Sequence, residues 1–201
     1  MRIVAGKYKS RTIATPEGRN TRPTTDRVRE ALFSAIWARL GNFDGLHALD
    51  TFAGSGALGI EALSRGCLSC TFFEKDRRAQ KIIQANFEAL NIPFSQTKLY
   101  KQDVLIFLES AAKRGSDNTF AHSFDLVLVD PPYALESLEV CSLCENLATL
   151  NALSQNALIA YEHAIDNTKN AQEAFSQLSH FQIIGTKEYG KIAVLFLRYG
   201  F

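Results

Sequence analysis

The residues with the clearest chemical potential are Asp130, Pro131, Pro132 and Tyr133, which directly follow the apolar run Phe124–Val129. Two consecutive prolines stiffen the backbone and remove two N–H donors, so this loop offers carbonyl and carboxylate acceptors. An exocyclic amino group of a nucleic-acid base matches such a surface. Asp130 and the Pro131 carbonyl would accept its two hydrogens and leave the nitrogen lone pair ready to attack. Tyr133 would stack on the base, a contact worth ~1–3 kcal/mol. We therefore predict these four residues to be catalytic.

A glycine-rich turn follows the first apolar run after residue 45 and precedes a helical pattern. Gly54 and Gly56 allow the backbone to approach a ligand closely, and Gly59 allows a helix to pack tightly on a strand. The N–H groups at the start of the helix offer donors to an anion. The spacing also matches a dinucleotide fingerprint, so the turn alone fits either NAD or S-adenosylmethionine.

Three acids at predicted strand ends favour S-adenosylmethionine. Glu74 lies 20 residues after Gly54, where a carboxylate accepts ribose hydroxyls. Asp50 precedes the turn and suits a cationic ammonium group better than a pyrophosphate, which it would repel. Asp103 is placed to accept from the adenine amino group. The predicted cofactor-binding residues are Asp50, Phe52, Ala53, Gly54, Ser55, Gly56, Glu74, Lys75, Asp103 and Val104. No metal is expected.

The beginning of the chain is strongly basic. Residues 1–29 contain eight Lys and Arg against Glu17 and Asp26, a net charge of +6, whereas the other 172 residues have a net charge of −5. This asymmetry indicates a polyanion partner, with a solvated extension as the alternative. We predict a basic hairpin or arm over residues 1–23 and a second domain over residues 24–201. Deleting residues 1–20 should then leave cofactor affinity unchanged.

From residue 46 onward, apolar runs alternate with helical patterns, which is typical of a parallel sheet covered by helices on both faces. Strands are predicted at 46–51, 70–74, 98–102, 124–129 and 157–162. Helices are predicted at 57–65, 76–90, 104–113 and 136–147. The last two strands, 181–187 and 192–198, are joined by a short turn and should be antiparallel.

Upstream of the sheet, Thr24 or Thr25 is predicted to cap a helix that reaches Leu40. Residues 3–5 and 11–14 flank Gly6 and favour a small β-hairpin. No apolar run is long enough for a membrane span or a signal peptide, so the protein is expected to be cytoplasmic.

Four cysteines form two C-x-x-C pairs, Cys67 with Cys70 and Cys141 with Cys144. This spacing occurs in zinc sites, but no histidine pattern completes either pair. We interpret them as reduced, partly buried thiols, with structural zinc as the alternative.

The motifs resemble those of a known family, the RsmD-type bacterial ribosomal RNA guanine-N2 methyltransferases. The resemblance is carried by residues 1–6, 22–30, 52–59, 61–66 and 130–133, and the segment 22–30 is its most specific part. It implies a Rossmann-like methyltransferase fold with a seventh, antiparallel strand and S-adenosylmethionine as the methyl donor. The implied acceptor is a guanine N2 amine of small-subunit (16S) ribosomal RNA. Residues 114–123 match nothing in the family and suggest a loop.

The resemblance also implies that the start of the predicted helix lies near the active site. Together with the basic segment, this predicts substrate binding by Arg2, Lys7, Lys9, Arg11, Arg22, Thr24, Thr25 and Arg27. The expected partner is ribosomal RNA, free or in an assembling particle, and the expected state is a monomer.

Other functions remain open at this point. The same acceptor loop would serve a methyltransferase acting on adenine N6 or cytosine N4 in DNA or RNA. An NAD-dependent oxidoreductase is a more distant alternative, since it would need a proton-transfer residue where this chain has D-P-P-Y. A non-catalytic RNA-binding module would not need an intact cofactor turn.

Overall fold

The computed structural model describes residues 1–16, 26–115 and 119–200. The chain divides into two compact units, Met1–Gln102 and Asp103–Phe201. The predicted boundary between residues 23 and 24 falls outside the described residues and stays a prediction. The same holds for the predicted helix caps Thr24 and Thr25.

The described residues of the first unit contain three parallel strands and three α-helices. In chain order the elements are α1 (Asp26–Leu40), β1 (His47–Asp50), α2 (Ala57–Arg65), β2 (Ser69–Phe73), α3 (Arg77–Leu90) and β3 (Thr97–Tyr100). The strand order is β3-β2-β1, with both pairs parallel.

Helix α3 shows why these segments fold locally as they do. The Asp76 carboxylate accepts from the N–H groups of Arg78 and Ala79 and so caps the first turn. Asn91 ends the helix in the left-handed conformation, with φ of 53°. Phe87 on the buried face packs its ring 5.0 Å from that of Phe72 on β2. Capping and an apolar stripe thus fix the helix against the sheet.

Four strands and three α-helices are found among the residues of the second unit that the structure describes. They are α4 (Val104–Arg114), β4 (Phe124–Val129), α5 (Ser137–Thr149), β5 (Leu153–Ala164), α6 (Thr168–Phe175), β6 (Phe181–Tyr189) and β7 (Ile192–Tyr199). The strand order is β4-β5-β7-β6. Strands β4 and β5 are parallel, whereas β7 is antiparallel to both β5 and β6.

The described strands number seven, in the order β3-β2-β1 in the first unit and β4-β5-β7-β6 in the second. This confirms the predicted fold class, a mainly parallel α/β sheet with an antiparallel final hairpin. Helix α6 was not predicted. Strand β5 begins at Leu153 rather than at 157, because its polar start, with Asn156 at φ of 64°, hides the strand in the sequence.

The segment after α4 lies partly outside the described residues, at 116–118. Gly115 ends α4 in the left-handed conformation, with φ of 61°. Further on, the Phe120 ring lies 5.0 Å from that of Phe124 and 5.9 Å from that of Phe107. This end of the predicted 114–123 loop is therefore packed on β4 and α4. Across the described residues, no helix has the length and apolarity needed to cross a membrane.

Candidate active site

The glycine turn sits between β1 and α2 and has the backbone that its sequence predicts. Gly54 and Gly56 have φ of 54° and 80°, in the left-handed region that favours glycine. A Cβ atom added at Gly54 would meet no atom within 4 Å, so the turn has an open side there. A Cβ atom at Gly59 would lie 2.2 Å from the Phe72 ring, which confirms tight packing of α2 on the sheet.

Glu74 is bonded directly to this turn. Its Oε2 accepts from the Gly54 N–H at 2.8 Å, and its Oε1 accepts from the Asp76 N–H at 2.7 Å. Gln80 donates to the Glu74 carbonyl at 2.8 Å and holds the same segment. Each carboxylate oxygen keeps a lone pair beyond the one already used, so the half-buried Glu74 carboxylate fits a pair of ribose hydroxyls.

Asp50 is buried beside the start of α2. It is 1% exposed, and its Oδ2 accepts from the Gly59 N–H at 2.9 Å. This places the carboxylate at the amino end of α2, where the helix dipole and free N–H groups stabilise a negative charge. The observed contact positions the turn. A contact between Asp50 and an ammonium group stays a prediction.

The other predicted cofactor residues occupy the turn and the starts of α3 and α4. Ala53 and Ser55 are buried, and the Ala53 N–H donates to the Phe73 carbonyl at 2.9 Å. Phe52 is half-buried, Lys75 is exposed and Val104 is buried. Asp103 caps α4 by accepting from the Leu105 N–H at 2.9 Å. Cofactor contacts of these residues stay predictions.

Asn86 was missed by the sequence analysis although it supports the glycine turn. Its side-chain amide donates to the Ser55 carbonyl and to the Ala14 carbonyl, both at 2.9 Å. Its oxygen accepts from the Ala14 N–H at 2.8 Å. Asn86 thus ties the turn to the N-terminal segment. A lone asparagine within a helical pattern carries no local signal of such a role.

The D-P-P-Y loop leaves β4 in the second unit. Burial raises the pKa of the Asp130 carboxyl to about 6. The Pro132 carbonyl accepts from the Leu135 N–H at 2.9 Å, which closes a turn after the prolines. Within the described residues, no donor engages the Pro131 carbonyl. Pro131 is buried, whereas Tyr133 is 53% exposed, so a stacking surface lies next to the acceptors.

A cleft that the sequence analysis did not identify opens beside this loop. One wall consists of Pro131, Pro132, Tyr133 and Leu135, and the other consists of Tyr161, Glu162, His163, Ala164 and Asn167. The second wall escaped notice because it combines the end of β5 with the following turn, and neither has a recognisable motif.

The N-terminal segment forms a small hairpin with one antiparallel bridge, between Arg2 and Thr12. It is not a free arm, because Ile3, Tyr8 and Ile13 are buried. Gly6, at φ of 81°, comes so close to α2 that an added Cβ atom would lie 1.7 Å from the Ser64 carbonyl oxygen. Deletion of residues 1–20 would uncover core side chains, and the expectation that cofactor affinity barely changes on this deletion stays a prediction.

Glu61 on α2 anchors this hairpin. Its carboxylate accepts from the N–H groups of Val4 at 2.8 Å and Ala5 at 3.0 Å. It also pairs with Arg65 at 2.8 Å and lies 3.6 Å from the guanidinium of Arg29. Glu61 and Arg29 are both 0% exposed. Arg29, which lies within the family-like segment 22–30, thus makes a buried structural contact with Glu61.

The predicted RNA-binding residues differ in their availability. Arg2 pairs with Asp26 at 2.6 Å, and Arg11 donates to the Ala89 carbonyl at 2.5 Å. Lys7, Lys9 and Arg27 are exposed. Arg22, Thr24 and Thr25 lie outside the described residues.

The four cysteines are buried and carry free thiols. Burial raises the pKa of the Cys70 thiol and raises the pKa of Cys141 to about 12, so both are protonated at neutral pH. The pairs belong to different units. Across the described ranges, no group of three or more His, Cys, Asp or Glu side chains is arranged to hold a metal ion.

Comparison with known proteins identifies relatives of this chain. A family profile described as conserved hypothetical protein 95 matches residues 1–198. Ribosomal RNA small subunit methyltransferase D of Haemophilus influenzae is 35% identical, over 81% of this chain and 78% of that protein. The protein of the same name from Escherichia coli K12 is 34% identical, over 82% of this chain and 72% of that protein.

Two solved structures share the fold over almost the whole chain. The Escherichia coli protein yhhF, described as a candidate methyltransferase, has a TM-score of 0.75 and 27% identity, covering 99% of this chain and 97% of that one. A hypothetical protein of Thermus thermophilus has a TM-score of 0.71 and 25% identity, covering 98% of each chain. The chain therefore belongs to the conserved hypothetical protein 95 family, which is the RsmD family indicated by its motifs, and its predicted enzyme class, a methyltransferase, is confirmed.

Proposed function

We propose that this protein transfers a methyl group from S-adenosylmethionine to the exocyclic N2 amine of a guanine in small-subunit ribosomal RNA. The observation that carries the chemistry is the D-P-P-Y loop, in which Asp130 and Pro131 directly precede the exposed Tyr133, and Pro131 and Tyr133 line the same cleft. The names of the relatives, which are small-subunit ribosomal RNA methyltransferases, support this substrate.

The acceptor loop prepares the amine for reaction. An exocyclic nitrogen delocalises its lone pair into the base ring and is a poor nucleophile. Acceptance of its two hydrogens by Asp130 and the Pro131 carbonyl favours a pyramidal nitrogen, whose lone pair is then directed at the electrophile. The Tyr133 ring stacks on the base and fixes its plane, a contact worth ~1–3 kcal/mol.

The glycine turn of the first unit fits the cofactor. S-adenosylmethionine, when bound, supplies an activated methyl group on a positively charged sulfur. The Glu74 carboxylate would accept from the ribose hydroxyls while it holds the Gly54 N–H. The open side of Gly54 leaves space for a ligand against the backbone. Asp103 would accept from the adenine amino group.

The acceptor base must leave any helix in which it is paired. A guanine N2 amine inside a duplex is not accessible to a loop of this kind, so the target is unpaired or flipped out of its stack. Three of the predicted RNA-binding residues that the structure describes, Lys7, Lys9 and Arg27, are exposed and available to contact backbone phosphates.

The proposal is tested with labelled S-adenosylmethionine and three separate acceptors: naked small-subunit ribosomal RNA, small ribosomal subunits and DNA, all lacking prior methylation. We expect label in ribosomal RNA, recovered as N2-methylguanine after digestion to nucleosides. Comparison of naked RNA with subunits identifies the preferred state of the substrate. Label confined to DNA, or recovered as methylated adenine or cytosine, would contradict the proposal.

A further inference from the structure

The start of helix α3 carries a group of basic side chains that the proposed methyl transfer does not use. Arg77, Arg78 and Lys81 are all exposed. Because a helix has about 3.6 residues per turn, these three positions lie within about 100° of one another around its axis. The buried Ile83 lies on the opposite side of the helix, so the basic side chains point to solvent.

Lys101 brings a fourth cation to the same side of the helix. Its Nζ donates to Gln84 Oε1 at 3.2 Å, and Gln84 lies one turn beyond Lys81. The distance along the helix from Arg77 to Gln84 is about 10 Å. Arg77, Arg78, Lys81 and Lys101 together form the α3 basic face, which belongs entirely to the first unit.

The positions of these cations are unfavourable within the protein itself. The amino end of a helix carries partial positive charge, so it repels Arg77 and Arg78 in the first turn. The first turn of α3 contains no acid that would offset this repulsion. Arg77 and Lys81 are also four residues apart, a spacing at which like charges destabilise a helix.

The carboxylates nearest to these cations in the chain are occupied by backbone N–H groups. Asp76 accepts from the N–H groups of Arg78 and Ala79, at 2.9 and 2.8 Å. Glu74 accepts from the N–H groups of Gly54 and Asp76. Among the residues that the structure describes, no ion pair includes a member of the α3 basic face.

Exposed lysines on two other helices have acidic partners. Lys113 of α4 contacts Glu109 at 2.5 Å, and Lys169 of α6 contacts Glu173 at 3.6 Å. Both pairs have the spacing of four residues at which opposite charges stabilise a helix. On α3 the residue four positions after Arg77 is Lys81, which repels it instead. The α3 basic face thus lacks such partners, and an external anion would stabilise it.

A polynucleotide strand is the anion that fits this face. Its phosphates are regularly spaced, so a strand that runs along the helix contacts several of the four cations at once. The N-terminal hairpin contacts the other end of α3, where Arg11 donates to the Ala89 carbonyl at 2.5 Å. Both basic segments therefore lie along the same helix.

We propose that the α3 basic face binds the phosphate backbone of the RNA substrate, as a second contact surface besides the N-terminal hairpin. This inference rests on the proposed function and adds a surface to it that holds the RNA. Contacts with phosphates position the RNA and increase affinity without reading its sequence. The acceptor guanine is therefore chosen elsewhere, and the α3 basic face affects binding rather than the methyl transfer itself.

The test separates charge from side-chain structure. The first variant combines Arg77→Gln, Arg78→Gln and Lys81→Gln and so removes three charges. The second combines Arg77→Lys with Arg78→Lys and keeps the charge. A matched control removes three charges from exposed positions of the second unit, by Lys113→Gln, Arg114→Gln and Lys169→Gln.

Affinity for naked small-subunit ribosomal RNA and for small subunits is measured at several salt concentrations. We expect the triple α3 variant to make the slope of log affinity against log salt shallower by about 2.1 to 2.7, as for three lost phosphate contacts. Its KM for RNA should rise, while kcat at saturating RNA and S-adenosylmethionine affinity should not change. Its thermal midpoint should equal or exceed that of wild type, because repulsion is removed. The lysine variant and the matched control should keep the wild-type slope.

An unchanged slope in the folded triple α3 variant would overturn the inference and show that this face is only solvated. Equal changes in the triple variant and the matched control would overturn it as well, since net charge alone would then explain them. A loss of affinity for subunits without a loss for naked RNA would assign the face to a protein partner instead. A wild-type protein that methylates no guanine of ribosomal RNA would refute the proposed function itself, whatever the salt slopes.

Discussion

Gly54 and Glu74 are 20 residues apart in the sequence and are joined by a hydrogen bond of 2.8 Å from the Gly54 N–H to Glu74 Oε2. The bond holds the glycine turn against the end of β2. It also fixes the carboxylate that is proposed to accept from the ribose hydroxyls. Under that proposal a substitution at Glu74 should affect both the turn and cofactor binding.

Glu74→Gln should weaken S-adenosylmethionine binding by about 10- to 100-fold, because hydrogen bonds to a charged group are worth ~1.5–3 kcal/mol. Isothermal titration calorimetry measures the change. Glu88→Gln, an exposed glutamate on α3, serves as the control and should bind like wild type. An unchanged dissociation constant in folded Glu74→Gln would mean that Glu74 only supports the turn.

Asp130→Ala should reduce kcat by at least about 100-fold with little change in cofactor affinity. Its proposed contact is with the reacting amine and strengthens as the nitrogen becomes pyramidal, so the loss falls on the transition state. Single-turnover methylation of ribosomal RNA measures the effect, and cofactor titration checks the fold. Turnover near the wild-type level would refute the proposed role of this carboxylate.

The raised pKa of Asp130 predicts a pH dependence of activity. The ionised carboxylate is the better acceptor, so kcat/KM should rise with pH through a value of about 6.

The effect of pH on folding stability through Asp130 has the opposite sign. Because the folded-state pKa lies above the ordinary value of 3.8, the folded protein binds more protons between about pH 4 and 6, and this group's contribution to stability falls as pH rises. Denaturant titrations at several pH values measure the free energy of unfolding, and Asp130→Asn should lack this contribution of Asp130 to its pH dependence.

Glu61→Ala should lower the free energy of unfolding by about 3–5 kcal/mol. It leaves the buried Arg29 without its closest buried carboxylate and removes the acceptor for the Val4 and Ala5 N–H groups. Urea denaturation measures the loss. Glu30→Ala, at an exposed position of α1, is the control and should change stability by less than about 0.5 kcal/mol.

Lys7 and Lys9 test the basic segment without removing any buried side chain. If both contact phosphates, replacing them together with Gln should make the slope of log affinity for RNA against log salt shallower by about 1.4 to 1.8. Lys169→Gln with Lys187→Gln removes the same charge from exposed positions in the second unit and should leave the slope unchanged. Equal slopes for wild type and the Lys7/Lys9 variant would show that these lysines are only solvated.

Local patterns in the sequence were sufficient to predict most of the sheet and the backbone of the glycine turn. Left-handed backbone at Gly54 and Gly56, close packing at Gly59 and the strand preceding Asp130 each follow from neighbouring residue types. Helix α6 and the first part of β5 escaped prediction, because their sequences are polar and packing decided their structure.

Only the tertiary structure decided which of these residues are buried and which are bonded to distant partners. Charge alone indicated a basic hairpin or arm, and only the structure shows that Glu61 of α2 and Asn86 of α3 bind this segment. Charge suggested an ammonium contact for Asp50, which stays a prediction, and only the structure shows that its carboxylate is buried and accepts from the Gly59 N–H near the start of α2. The reason is physical: turn and strand preferences depend on a few adjacent residues, whereas burial and hydrogen bonds between residues tens of positions apart exist only once the chain has packed.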